Sequence, residues 1–167
     1  HSFPTRRSSD LGIALTRQNI PVFKRGEADA TGSVFAGAEN TTKGAYTLID
    51  AGSGKSPALV LLATGSEVQL AVAAREQLEA AGVATRVVSA PCVEWFEEQD
   101  AAYRASVLPA GVPTVSVEAG LALGWSKYAQ AHVSIEHFGA SADFKTLFRE
   151  FGMTTENVVA TAKSLLG

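Results

Sequence analysis

The stretch ALVLLATGSEVQLAVAAREQLEAAGVATRVVSAP, residues 58–91, decides the fold. Its opening run, residues 58–63, is continuously apolar, which is typical of a strand buried on both faces of a parallel sheet. A helical pattern follows and ends at Gly82, a residue suited to a helix C-terminus. Residues 86–89 then form a second apolar strand. Strand, helix and strand in this order predict a βαβ unit with two parallel strands.

The start of this helix carries a prediction of its own. Ser66 is placed to cap the helix, and Gln69 is placed to bond back to the Ser66 backbone N–H. Leu70, Ala74 and Leu78 then share one face, as in a helix packed against a sheet. We therefore expect a capping box at Ser66 and Gln69.

The same alternation continues on both sides of this unit. It predicts an α/β fold, a three-layer αβα arrangement around an open, mostly parallel sheet, in which ligands lie beyond the carboxyl ends of the strands. Further strands are predicted at residues 45–49, on an edge, and at 114–117 and 132–136. Further helices are predicted over 93–107 with a break near Gln99, around Trp125 and Tyr128, over 144–151, and from Thr154 onward.

The chain divides into four parts by composition. Residues 1–11 are polar and without periodicity, and we interpret them as a non-native leader rather than a basic docking arm. Residues 12–20 begin apolar and turn polar, as at the end of a buried strand of a preceding domain. Residues 21–43 are rich in Gly and Pro punctuation and predict an interdomain linker. Residues 44–167 form one domain.

Composition narrows the class of protein. With 167 residues, 46% hydrophobic, and a net charge of −3, the chain can bury a core and is not disordered. Its one cysteine excludes a disulfide framework and favours a reducing, cytoplasmic setting. No clustered basic stripe suits nucleic acid, and no apolar run reaches the roughly 20 residues that span a membrane. We interpret the helical aromatic residues as core or interface: Trp95, Phe96, Trp125 and Tyr128.

The segment ATGSE, residues 63–67, is the most specific local feature. A glycine turn that leads into a helix directs free N–H groups to one point, which suits a phosphate. The segment lacks the Lys-Ser/Thr ending of a P-loop and the three-glycine dinucleotide pattern. Glu67 also places a negative charge beside any bound anion. We favour a tight strand-to-helix connection, with a regulatory anion site as the alternative.

Other titratable residues predict little chemistry. His132, Glu136 and His137 are metal-ligating types, but His132 and His137 lie five apart on a strand and therefore point to opposite faces. No set of three ligands at a sensible spacing results. We interpret them as polar residues at a strand end. Cys92 lacks the base that a nucleophile needs, so we expect a structural thiol. Glu118, at a strand end, is either a site residue or a cap of the next turn.

Several segments resemble transketolases. LTRQNIP, residues 15–21, resembles the LSRQNLP segment with which the second domain of that family ends, and residues 61–91 are similar to the opening of its third domain. The resemblance covers nearly all of residues 12–167, whereas residues 1–11 do not match. Four further segments follow in the family's order: 99–109, 115–120, 138–142 and 156–166.

The resemblance implies a thiamine diphosphate enzyme with a divalent cation, Mg²⁺ or Ca²⁺, that moves a two-carbon ketol unit between sugar phosphates in the pentose phosphate pathway. In that family the first domain holds the cofactor and its metal. The glutamate that activates the cofactor precedes Leu15 and acts from the partner subunit of a homodimer. The resemblance therefore places no catalytic, cofactor-binding or metal residue in this chain. It implies one substrate-binding residue, Arg17, whose forked cation grips the sugar phosphate.

Two alternatives stay open from the sequence. The first is the C-terminal domain of another thiamine diphosphate enzyme, a pyruvate dehydrogenase E1 component or deoxyxylulose-phosphate synthase. The segments RQN, residues 17–19, and FGASA, residues 138–142, argue against it. The second is a non-catalytic anion-binding or interaction module. We expect the C-terminal part of a transketolase, inactive by itself and supporting a dimer.

Overall fold

A five-stranded sheet forms the centre of the computed structural model, which describes residues 12–16, 18–52 and 54–167. Its strands are β1 (Tyr46–Ile49), β2 (Leu59–Ala63), β3 (Thr85–Ser89), β4 (Thr114–Val117) and β5 (Ala131–Val133). They lie in the order β1-β3-β2-β4-β5, with β1 antiparallel to β3 and every other pair parallel. The predicted α/β fold with a mostly parallel sheet and an edge strand at β1 is confirmed.

Helices cover both faces of this sheet. The α-helices are α1 (Val68–Ala80), α2 (Val93–Glu97), α3 (Ala101–Val107), α4 (Phe144–Glu150) and α5 (Thr155–Leu166). Short 3-10 helices lie at Ala38–Lys43, Gly65–Glu67 and Ala122–Gly124. One buried cluster joins the sheet to α1 and α5, and a second joins its other face to α2 and α3. The three layers are therefore helix, sheet and helix.

The position of strand β2 between two layers of helices explains why its sequence is continuously apolar. Leu59, Leu61 and Ala63 belong to the cluster under α1 and α5, whereas Val60 and Leu62 belong to the cluster under α2 and α3. All five residues are buried. A central strand covered on both faces gains stability from apolar side chains at every position, so alternation is lost.

The prediction of a helix around Trp125 and Tyr128 is wrong. In the part of the chain that the structure describes, only the 3-10 helix Ala122–Gly124 forms there, followed by turns. The Gln130 N–H donates to the Thr114 carbonyl at 3.0 Å, so the chain is already extended beside β4 a few residues later. Residues 125–128 therefore form turns between this 3-10 helix and the start of the pairing with β4.

Strand β5 is also shorter than the predicted 132–136. The Ile135 N–H donates to the Gly120 carbonyl at 2.9 Å, and the Glu136 carboxylate accepts the Ala122 N–H at 2.8 Å. These bonds to the preceding loop draw the chain away from β4, so the strand ends at Val133.

Residues 12–16 form no strand in the described structure, and their assignment to the end of a preceding domain stays a prediction. The side chains of Ile13 and Leu15 are 80% and 83% exposed. A strand is held by backbone bonds to a neighbour, and no described residue pairs with this segment. Residues 1–11, which we interpret as a leader, lie outside the described residues.

Residues 21–43, predicted as an interdomain linker, pack closely on the domain. The rings of Phe23 and Phe35 stack with centroids 5.0 Å apart and lie against the core. The Ala36 N–H donates to the Leu48 carbonyl of β1 at 2.8 Å. The linker role itself stays a prediction, but this segment is folded onto the sheet.

Gly44 is the point at which this segment enters the domain. Its φ is 82°, in the left-handed region that glycine adopts at little cost. A Cβ there would meet the Phe96 nitrogen at 2.3 Å and the Cys92 oxygen at 2.4 Å. The start of α2 therefore lies so close to the chain that a side chain at position 44 has no room.

Candidate functional site

The carboxyl edge of the parallel strands is the candidate site, as is usual for open α/β sheets. Strand β2 leads into the turn at residues 64–67, and β3 leads to Cys92. Strand β4 is followed at once by Glu118, and β5 leads to Glu136. Parallel pairing brings these exits to one edge of the sheet.

The turn after β2 is a tight connection and not a capping box. Gly65 has a φ of 56°, and residues Gly65–Glu67 form a 3-10 helix before α1 begins at Val68. The Ser66 hydroxyl donates to Glu67 Oε1 at 2.6 Å rather than capping the helix. The Gln69 side chain donates to the Ser66 carbonyl at 2.9 Å, so the predicted bond to the Ser66 N–H is wrong.

The chemistry of this turn disfavours an anion. Glu67 is 5% exposed and its carboxyl lies against Gly65, where a Cβ would meet Oε2 at 3.6 Å. A phosphate at the turn would therefore face a carboxyl group. Burial raises the pKa of Glu67, and the hydrogen bond from Ser66 opposes this only in part.

Glu118 is a second carboxyl at the same edge. It is half-buried, and its carboxyl lies over Gly120, where a Cβ would meet Oε1 at 3.6 Å. Its Oε2 is shielded from solvent and has no hydrogen-bond partner in the described structure. Burial, and then the negative charge of Glu67, raise its pKa to about 7. This arrangement is not a cap of the following turn.

A cavity of about 280 Å³ lies beside the turn. Gly65 and Val68 line one side of it, and Ile20 and Phe23 line another. Arg17, the substrate-binding residue that the resemblance implies, precedes Ile20 by three positions and lies outside the described residues. The segment that follows Arg17 thus reaches the carboxyl edge of the sheet.

The histidines are not brought together as metal ligands. His132 Nδ1 lies 2.7 Å from the Ser116 hydroxyl, and the His137 ring packs edge-on against Phe151 at 4.5 Å. Over residues 12–16, 18–52 and 54–167, no group of three His, Cys, Asp or Glu side chains could hold a metal ion. Glu136 instead accepts bonds from a backbone N–H and from Ser134.

Cys92 and the aromatic candidates make contacts that are typical of residues with a structural role. Cys92 precedes α2, is half-buried, and its Sγ lies 3.5 Å from a Glu94 oxygen. Phe96 is 3% exposed, and Trp125 and Tyr128 pack against the same cluster under α2 and α3. These contacts fit core residues better than a base-stacking platform.

Arg75 is the residue that sequence reasoning missed. It is 1% exposed, forms an ion pair with Asp29 at 2.6 Å, and donates to the Thr85 carbonyl at 3.0 Å. Its position between Ala71 and Leu78, on the buried stripe of α1, was the available signal. An arginine on an apolar stripe indicates a buried partner elsewhere in the chain.

Comparison with known proteins places the chain in a family. Residues 44–154 match the family described as Transketolase-like TK C-terminal domain. The chain belongs to that family. It is 48% identical over 165 residues to a transketolase of Mycobacterium leprae, which covers 95% of this chain but 22% of that protein.

Solved transketolases have the same fold. The structure from Leishmania mexicana has a TM-score of 0.72 and 48% identity, covering 76% of this chain and 18% of that one. The structure from Pichia stipitis described as a complex with sedoheptulose 7-phosphate has a TM-score of 0.71 and 40% identity, covering 77% and 18%. The chain thus spans under a quarter of the length of these three transketolases. The matches favour transketolase over the other thiamine enzymes and over an unrelated module.

No helix in the part of the chain that the structure describes is both long and apolar enough to cross a bilayer.

Proposed function

We propose that this chain is the C-terminal part of a transketolase. The complete enzyme transfers a two-carbon ketol unit from a ketose phosphate to an aldose phosphate, as in the pentose phosphate pathway. The observation that carries this proposal is the match to transketolases along almost the whole chain, including residues before the domain itself. In this proposal the domain supports a cytoplasmic homodimer and does not bind nucleic acid or a membrane.

The proposal assigns thiamine diphosphate and its Mg²⁺ or Ca²⁺ to other parts of the enzyme. A diphosphate and a divalent cation need grouped hydrogen-bond donors and several oxygen ligands. The candidate turn instead contains the buried carboxyl of Glu67, the half-buried Glu118 lies at the same edge, and the described residues offer no cluster suited to a metal. These residues do not fit the cofactor, so no catalytic step is assigned to them.

Arg17 is the proposed contact to substrate. Its guanidinium can donate two parallel bonds to a phosphate and is always charged. A remote phosphate held in this way lends binding energy to orientation at the reacting carbon. The description of the Pichia stipitis transketolase as a sedoheptulose 7-phosphate complex supports a sugar phosphate as the ligand class.

Activity of the complete protein and of this chain alone tests the proposed function. We expect ketol transfer from xylulose 5-phosphate to ribose 5-phosphate only in the complete protein with thiamine diphosphate and Mg²⁺. The chain alone should give no turnover, because the resemblance places the activating glutamate before Leu15. Turnover by the chain alone, or none by the complete protein, would contradict the proposal.

Arg17→Ala in the complete protein tests the substrate contact. We expect KM for phosphorylated substrates to rise about tenfold or more, because a charge-assisted bond contributes about 1.5–3 kcal/mol. KM for an unphosphorylated ketose should stay the same. Arg149→Ala is the matched control, since Arg149 is exposed and, among the described residues, pairs with its neighbour Glu150. Equal effects on both substrates would remove Arg17 from this role.

A further inference from the structure

Two carboxyl groups leave the sheet side by side. Strands β2 and β4 are parallel neighbours, and Ala63 at the end of β2 pairs with Val117 at the end of β4. Glu118 follows Val117 directly, and Glu67 lies in the turn after Ala63. The register therefore brings both acids to the same edge of the sheet, where the charge of Glu67 acts on Glu118.

Neither carboxyl has a cation acting on it among the described residues. Glu67 is 5% exposed and accepts hydrogen bonds from the Ser66 hydroxyl and from its own backbone N–H. Glu118 Oε2 is enclosed and, among the described residues, receives no hydrogen bond. A buried carboxylate without partners costs free energy, whereas a protonated carboxyl does not carry this charge penalty. The environment thus favours a proton on the pair.

The surrounding charges do not compensate the pair. Arg25 lines the cavity beside Gly65, but it donates to the Ala36 carbonyl. On the other side, Glu136 and His137 line a cavity with Gly120 and are bonded to backbone groups. The neighbouring strand β5 contributes His132, which is bonded to Ser116, and α1 has no charged residue in its first turn. In the described chain, the charge that acts on Glu118 is that of Glu67.

We propose that Glu67 and Glu118 form a pH-responsive carboxyl pair, which holds one proton in the folded chain near neutral pH and loosens the turn at residues 64–67 from the end of β4 when that proton is lost. The device belongs to the domain itself and does not depend on the proposed transketolase activity. It is reversible, since it requires only the release of a proton to solvent.

Carboxyl carbon titration by NMR tests the pair directly in the 167-residue chain. We expect Glu118 to titrate with a pKa of about 7, well above the pKa of 4.5 of an ordinary glutamate. In Glu67→Gln the Glu118 midpoint should fall, because the neighbouring charge is gone. Glu136→Gln is the matched control, an exposed acid at the same edge whose loss should leave the midpoint unchanged.

The wild-type titration keeps the proposal testable even where a variant fails to fold. A Glu118 midpoint near 4.5 would overturn the proposal. So would a midpoint that is equal in Glu67→Gln and in the wild type, since the two acids would then be independent.

Hydrogen exchange tests the consequence for the turn. After correction for the intrinsic pH dependence of exchange, the amides of residues 64–68 should lose protection by about tenfold between pH 6 and pH 8 in the wild type. In Glu118→Gln they should keep the same protection across this range. Identical profiles in the two proteins would show that proton loss does not loosen the turn, and would overturn the proposal.

Discussion

The charged side chains at the two edges of the sheet differ in whether they have a partner of opposite charge. At the amino edge, two arginines are paired with Asp29 and Asp50. At the carboxyl edge, the charge of Glu67 acts on Glu118, and no cation acts on either carboxyl in the described structure. The first edge is built for a fixed charge state, whereas the second changes its charge near neutral pH.

At the amino edge, the two arginine side chains donate several hydrogen bonds each. Arg86 makes a two-point contact with Asp50, at 2.8 and 2.9 Å, and Arg75 bonds Asp29 together with backbone carbonyls. Burial by itself would raise the pKa of Asp29, but hydrogen bonds from Thr31 and Arg75 outweigh it and hold the pKa below its usual value. A carboxylate held in this way stays ionised in all but acidic solution.

The largest expected effect comes from breaking the amino edge. Arg75→Met leaves Asp29 without its cation and the nearby carbonyls without their donor. We expect the free energy of unfolding to fall by about 3–5 kcal/mol, as for other buried pairs that lose one partner. Denaturant unfolding at pH 7 measures this.

Glu76→Met is the matched control for that variant, because Glu76 is exposed on the same helix. Its unfolding free energy should change by no more than about 0.5 kcal/mol. If both variants lose equally little, the amino edge is not what holds residues 29–33 to the domain.

A smaller effect, of opposite sign, is expected at the carboxyl edge. Folded Glu118 binds its proton more tightly than the unfolded chain does, so wild-type stability falls as pH rises from 4.5 to about 7 and then levels off. Glu118→Gln cannot ionise and should be more stable than the wild type at pH 8, by about 1 kcal/mol after allowance for its partial exposure.

Unfolding curves at pH 5 and pH 8 check this second prediction. The advantage of Glu118→Gln should be present at pH 8 and nearly absent at pH 5, while Glu136→Gln should show no such change. A variant that is less stable than the wild type at both values would contradict the sign, and the contrast between the edges would be lost.

The sequence predicted those elements that depend on residues close together in the chain. The unbroken run of β2 and the helix starting after Thr154, whose hydroxyl accepts the Asn157 N–H, follow from local pattern. The tie between Arg75 and Asp29 joins positions 46 apart, and local spacing carries no information about it. The pairing of Glu67 with Glu118 likewise depends on strand order, which the sequence left unspecified.

The failed predictions have a common physical cause. The pattern around Trp125 suits a helix, but the demand for backbone bonds to β4 overrides that preference. Ser66 has the right spacing for a cap, but residues Gly65–Glu67 form a 3-10 helix and α1 begins only at Val68, so Ser66 does not stand at the N-cap position. In both places the path of the chain near the sheet overrides the local motif.

The ion pair of Arg75 also gives residues 20–33 a mechanical property. This segment starts beside Gly65 at the carboxyl edge and reaches Asp29 at the amino edge. It therefore runs from one edge of the sheet to the other and is anchored at Asp29 by the ion pair with Arg75. Tension applied to the chain ahead of Ile20 would first load the stacked rings of Phe23 and Phe35 and then the buried anchor at Asp29. The backbone hydrogen bonds between the strands would bear that load only after residues 20–33 had detached from the domain.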